Sequence, residues 1–182
     1  MNKNKLLWIK EEYYVFGRKG PNGLHIENLA KKLNKSKSSF YHYFGDIENF
    51  QEVLLGFHLN RAVQIAKMGK ECKNMDPDVI KLLVDTKDDL LFNKQLRLNF
   101  QNPLFKSCFE QSFEKITSSY SDKWNIDIGL EQNPMLGKVI LHLIVDNFFL
   151  QVNDENLTYP WFHEYMNNLR SVIQQIQIAS HN

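Results

Sequence analysis

Between Lys35 and Tyr43 the chain reads Lys-Ser-Lys-Ser-Ser-Phe-Tyr-His-Tyr. Lys35, Ser36, Lys37, Ser38, Ser39, Tyr41, His42 and Tyr43 place cations, short hydroxyl donors and amphipathic rings within one stretch. Ammonium and hydroxyl groups suit phosphate oxygens. Side chains of these kinds also reach base edges in a nucleic-acid groove. Phe40 and Phe44 recur at helical spacing, so they turn to one side and leave the polar set on the other.

Such a set needs a rigid support, and the flanking residues supply one. Leu29 and Leu33 share a face of the preceding segment, and Ala30 is small where two helices must approach closely. Asn34 falls at the turn, where a residue at positive φ is needed; after glycine, asparagine tolerates that best. Ser36 stands where a side chain can cap the next helix. The spacing predicts a helix over about 25–33, a tight turn and a second helix over 37–44, which is a helix-turn-helix. Gly45-Asp46 then breaks the chain, and Asp46 can cap a long helix over about 47–71 carrying Phe50, Val53, Leu54, Phe57, Arg61, Ile65 and Met68 along one side.

The remaining elements also read as helices: about 3–18, with Leu6, Ile9, Tyr13 and Phe16 on one face; 77–93; 103–123; 134–152; and 159–179. A short helical piece to Asn99 and a loop over 125–133 fill the gaps. Sustained period-2 alternation is missing, so the expected class is all-α: a three-helix head over 1–46 and a larger helical body over 47–182, about nine helices in total.

Net charge is only +1, but its distribution is uneven. Residues 1–45 hold nine Lys and Arg against three acids, whereas 46–182 hold thirteen against eighteen. A basic head on an acidic body confines any electrostatic footprint for nucleic acid to the N-terminal end. Cys72 and Cys108 lie too far apart for a metal or redox motif, which points to a reduced, cytoplasmic setting. Val139–Leu150 is too short and too polar to span a bilayer, and no signal peptide is legible. The six histidines, 25, 42, 58, 142, 163 and 181, form no metal-ligand pair, and no phosphate loop or nucleophile motif occurs. Neither metal, cofactor nor enzyme activity is expected. Asp85, Asp88 and Asp89 read as a solvated face beside Lys81 and Lys87.

Gly23-Leu24, Leu29-Ala30-Lys31-Lys32-Leu33 and Ser36-x-x-Ser39-Phe40-Tyr41-x-Tyr43-Phe44 resemble the DNA-binding head of TetR/AcrR-type transcriptional regulators. The resemblance covers roughly residues 5–55. It implies that Ser39, Tyr41 and Tyr43 hold phosphates and that Lys37, Ser38 and His42 lie closest to bases. Three positions depart from the family pattern. His25 stands where Ser or Thr usually caps the second helix, Asn34 replaces a turn glycine, and Ile47 replaces a lysine that anchors a phosphate.

The resemblance further implies a homodimer through 134–152 and 159–179, on a pseudo-palindromic double-stranded DNA operator. The residues support this independently, because 135–150 is apolar on nearly every side and must be buried on two of them. It also implies a small-molecule effector, apolar or aromatic, with Phe92, Phe109, Phe113, Trp124 and His142 as candidate contacts. The functional expectation is a ligand-responsive repressor. The alternative is a protein of the same fold that acts through protein contacts and binds DNA weakly or without specificity.

Overall fold

The computed structural model describes residues 2–179, with side chains up to Ile176; His181 lies outside them. The described residues form ten α-helices and no strand. They are α1 (Lys3–Lys19), α2 (Ile26–Lys32), α3 (Lys37–Phe44), α4 (Ile47–Glu71), α5 (Ile80–Asp85), α6 (Lys87–Leu98), α7 (Pro103–Thr117), α8 (Ser121–Asp127), α9 (Pro134–Gln151) and α10 (Tyr159–Ala179). The chain is all-α, as its periodicity requires. None of the described helices is long and apolar enough to cross a membrane.

The first four helices match the predicted ones to within a residue or so. Three later boundaries differ, each for a local reason. The helix expected over 77–93 is interrupted at Thr86, whose hydroxyl donates to the Leu82 carbonyl at 2.8 Å. That back-bonding competes with the helical ladder. The helix expected to reach Lys123 ends at Thr117, where Ser118 and Ser119 turn their hydroxyls onto the carbonyls of Lys115 and Ile116. The expected loop over 125–133 begins only after α8.

The chain divides into two compact units. One comprises residues up to Val63 together with Asp88–Phe113; the other comprises Gln64–Lys87 and Glu114 onward. The first unit therefore holds α1–α3, most of α4, α6 and most of α7. Its core is aromatic: Phe92 stacks on Tyr13 at 4.4 Å and on His58 at 4.5 Å, and meets Phe16 at 4.3 Å between ring centroids.

A polar network runs through this core. The Tyr13 hydroxyl lies 2.7 Å from Asp89 Oδ1 and 2.5 Å from His58 Nδ1. Arg61 donates to both Asp89 oxygens, at 3.0 and 2.6 Å. His58 Nε2 and Ser112 Oγ both face the side-chain amide of Asn93, at 3.0 and 2.7 Å. Burial pushes His58 down to about 4, against the upward pull of Asn93 and Asp89. The Tyr13 hydroxyl donates to Asp89. The Ser112 hydroxyl donates to Asn93 Oδ1, the same oxygen that faces His58 Nε2, and it also lies 3.1 Å from the Phe109 carbonyl. Asp89 is 1% exposed; the expectation of a solvated acidic face is corrected for this residue. Asp88 also has a partner, Arg18, at 2.9 Å.

In the second unit, α9 and α10 pack through Phe148, whose ring meets Trp161, Phe162 and Tyr165. Gly137, Val145, Phe148 and Phe149 form the buried side of α9. The opposite side leaves Met135, Leu143 and Leu150 more than 70% exposed, with Leu136 and Val139 beside them. On α10, Val172 and Ile176 are also exposed. These side chains form an apolar stripe on each helix, at the spacing of successive turns.

Candidate nucleic-acid interface

The turn between α2 and α3 closes through local chemistry. Asn34 adopts φ 50°, the left-handed region. The Lys35 amide donates to the Ala30 carbonyl at 2.9 Å and the Asn34 amide to that of Lys31 at 3.1 Å. This pair of bonds is a Schellman closure with asparagine in the place of glycine. Ser36 caps α3: its Oγ accepts from the Ser39 amide at 3.3 Å, and the Ser39 hydroxyl returns to the Ser36 carbonyl at 2.8 Å. At the far end Gly45 takes φ 78°, and Asp46 accepts from the Asn49 amide at 2.7 Å to open α4.

Behind α3 lies a cluster of rings. Phe40 meets Trp8 at 5.5 Å, Phe44 at 5.0 Å and Phe50 at 5.0 Å. All four are buried, so the helix cannot roll without exposing large aromatic area. Its outer side is thereby fixed. Lys35, Ser36, Lys37, Ser38, Tyr41 and His42 are exposed, and Ser39 and Tyr43 are half-buried at its margin. The structure brings all eight sequence-predicted residues onto one short segment, anchored by a capped turn.

One contact was not legible in the sequence. Lys37 forms an ion pair with Glu27 of α2. The ammonium hydrogen bond holds the Glu27 carboxyl below its usual range. Lys37 therefore meets any incoming anion already partnered. Nothing in the ten-residue separation announces this pairing, which depends on the crossing of α2 and α3. The family departures are structural facts too. His25 stands at the start of α2 without a side-chain capping bond, and Ile47 is an exposed apolar residue at the start of α4. In the first turn of α1, Lys5 lies over the Phe44 ring at 5.1 Å.

The five ligand candidates are divided between the two units. Phe92 is a fully buried core ring of the first, and Phe109 and Phe113 stack on one another at 5.3 Å there. Trp124 and His142 belong to the second. The Trp124 indole donates to the Gly137 carbonyl at 2.9 Å, and its ring helps line a groove of about 360 Å³ with Pro134, Met135 and Leu141. His142 is exposed on α9, its Nδ1 2.8 Å from the Lys138 carbonyl.

A capped helix-turn-helix that presents cations, hydroxyls and rings from a locked second helix defines a DNA-binding protein. Residues 14–52 match the model of the tetR family of bacterial regulatory proteins. The match spans the last turns of α1 through the first turns of α4, so the helix-turn-helix head is similar to the DNA-binding head of that family. No curated protein and no solved structure gave a match to the chain.

Proposed function

We propose that the protein is a homodimeric repressor that binds a pseudo-palindromic operator through α3 and is released by a small apolar or aromatic effector. The reading rests foremost on the outer side of α3 and the turn before it, where six of the eight candidate contact residues stand on a helix held by four buried rings and Lys35 and Ser36 lead into it. Ser39, Tyr41 and Tyr43 hold phosphates, together with Lys35 and the capping Ser36; Lys37, Ser38 and His42 approach base edges. Residues 1–46 act as the reading head, and residues 47–182 as the dimerising and sensing body. Dimerisation is supported by the exposed apolar stripes of α9 and α10, which a second copy would cover in an isologous contact. Two heads then meet half-sites one or more DNA turns apart. Two free cysteines suit a reduced, cytoplasmic setting.

The groove beside Trp124 is the place we assign to the effector, because its apolar wall suits such a molecule. Phe92, Phe109 and Phe113 serve the aromatic packing of the first unit in this reading. α4 and α7 are each continuous through both units and so provide the covalent route for a signal. Release requires that the effector bind the non-binding state more tightly, and it shifts the equilibrium only by that difference.

Gel-shift titration against fragments of the source genome tests the proposal. Specific, salt-sensitive retardation is expected; its absence at low salt, with and without effector candidates, sinks it. The second reading, a protein-contact module on the same fold, is favoured by the Glu27–Lys37 pair, the uncapped His25 and the Ile47 position. Uniformly weak affinity for every duplex would select it.

A further inference from the structure

Within the head, between α1, the Pro21–Gly23 turn and α2, lies a cleft of about 300 Å³ lined by Glu12. Glu12 is 1% exposed, and neither of its carboxyl oxygens has a hydrogen-bond partner. One turn earlier on α1, the buried Trp8 indole nitrogen also lacks a partner. Two polar groups on the inward side of one helix thus go unsatisfied, at a cost a purely structural head would avoid.

The charged and titratable groups around the cleft are few. From α1 come Lys19 and the neighbouring Glu11, from the connection His25, and from α2 Lys32; Asn22 and Asn28 complete the polar lining. Lys32 is held by Glu11 at 2.5 Å. Gly23 brings the turn hard against α1, where an added Cβ would lie 2.6 Å from that of Lys19. The seat is tight, and it holds a carboxyl with no cation assigned to it.

We propose that Glu12 is an alkaline-sensitive lock on the helix-turn-helix. As a neutral acid it lies sealed between α1 and α2 and the head keeps its DNA-binding form. When its proton leaves to solvent, the carboxylate cannot stay buried without a partner. It competes with Glu11 for Lys32, or takes Lys19, and the seat of α2 on α1 loosens. α3 is joined to α2 by the closed turn and moves with it. Burial, reinforced by the Glu11 charge, pushes the Glu12 carboxyl up to about 8, so the lock weakens as pH rises from the ordinary carboxylate range and has lost its full contribution once pH passes about 8. The consequence for DNA rests on the function proposed above; the lock itself does not.

Two measurements on the full chain decide it. The first is fluorescence anisotropy with a labelled random-sequence duplex at constant ionic strength from pH 7 to 9. Wild-type affinity is expected to fall several-fold, up to about tenfold, and that of Glu12→Gln less than twofold. Parallel profiles for the two proteins overturn the lock. The second is a titration of the Glu12 side-chain carbonyl in wild-type protein carrying ¹³C-labelled glutamate, with the Trp8 indole resonance followed in parallel. A midpoint near 8 shared by both signals supports the lock; a carboxyl midpoint below 6, or a Trp8 signal flat from pH 7 to 9, overturns it. This second test needs no variant to fold and no DNA to bind. Absence of DNA binding at every pH would therefore count against the proposed function alone.

Discussion

Tyr41 and Lys37 stand four residues apart on α3, yet their situations differ. Tyr41 is 48% exposed and its ring stands edge-on to Phe40 at 5.4 Å, so its hydroxyl is presented outward on a fixed lever. Lys37 is already committed to Glu27. Tyr41→Phe is expected to weaken binding to all duplexes alike, by about 1.5–3 kcal/mol, the worth of one hydrogen bond to a charged oxygen. Glu27→Gln removes the competitor for Lys37 and should tighten binding. It should also steepen the dependence of log affinity on log salt by about 1. Anisotropy over a salt series measures both, and unchanged affinity and slope in Glu27→Gln would show that freeing Lys37 adds no cation to the DNA interface. Residue-scale chemistry was legible in the sequence where it is local. The Asn34 turn, the Ser36 cap and the Asp46 cap each depend on neighbours within a few positions. The Glu27–Lys37 pair depends on two helices crossing, so no local pattern encodes it.

Between elements, the hidden feature is the network that joins α1, α4, α6 and α7. Asp89 was expected on a solvated face because three acids and two lysines cluster in its stretch of sequence. Only the packing of α6 reveals that Asp89 turns inward to Tyr13 and Arg61 while Asp88 meets Arg18. Asp89→Ala leaves Arg61 and Tyr13 without their acceptor. The Arg61 side chain is 36% exposed and can recover some hydration. The expected loss is therefore about 2–3 kcal/mol, below that for breaking a fully buried pair; urea unfolding measures it. The same network sets an acid limit. His58 is held neutral, with its folded value near 4 beneath the ordinary 6.5. Its contribution is fully present above 6.5 and is lost as pH falls through that value toward 4, about 3 kcal/mol in all. His58→Gln should flatten the stability profile between pH 6.5 and 4 relative to wild type. Equal slopes for the two proteins would mean that the imidazole charges without penalty. Sequence reading located the helices that carry this network but not the network itself, because periodicity separates inward from outward residues only when inward residues are apolar. Asp89, His58, Asn93 and Glu12 are buried polar exceptions to that rule.

At the scale of the molecule, the apolar surplus of residues 135–150 was legible before any coordinate, since no helix in water leaves both sides apolar without a partner. The structure divides that surplus, with one side buried under Phe148 and Phe149 and the other presenting Leu143 and Leu150 at 73% exposure each. If the stripes of α9 and α10 close a two-fold interface, a charge at its centre must be desolvated twice over, once from each copy. Leu143→Glu combined with Ile176→Glu should therefore yield a monomer at micromolar concentration in analytical ultracentrifugation, with its helical circular dichroism retained. Both substitutions leave residues 1–46 unchanged, so each separate head is expected to keep its weak affinity for a half-site. Operator affinity should nevertheless fall by roughly a hundredfold or more, because the second head is no longer held at high effective concentration beside the first. The two readouts must move together: a variant that becomes monomeric but binds the full operator as tightly as wild type would remove the dimer from the mechanism, and a wild-type protein already monomeric at that concentration would remove it from the protein.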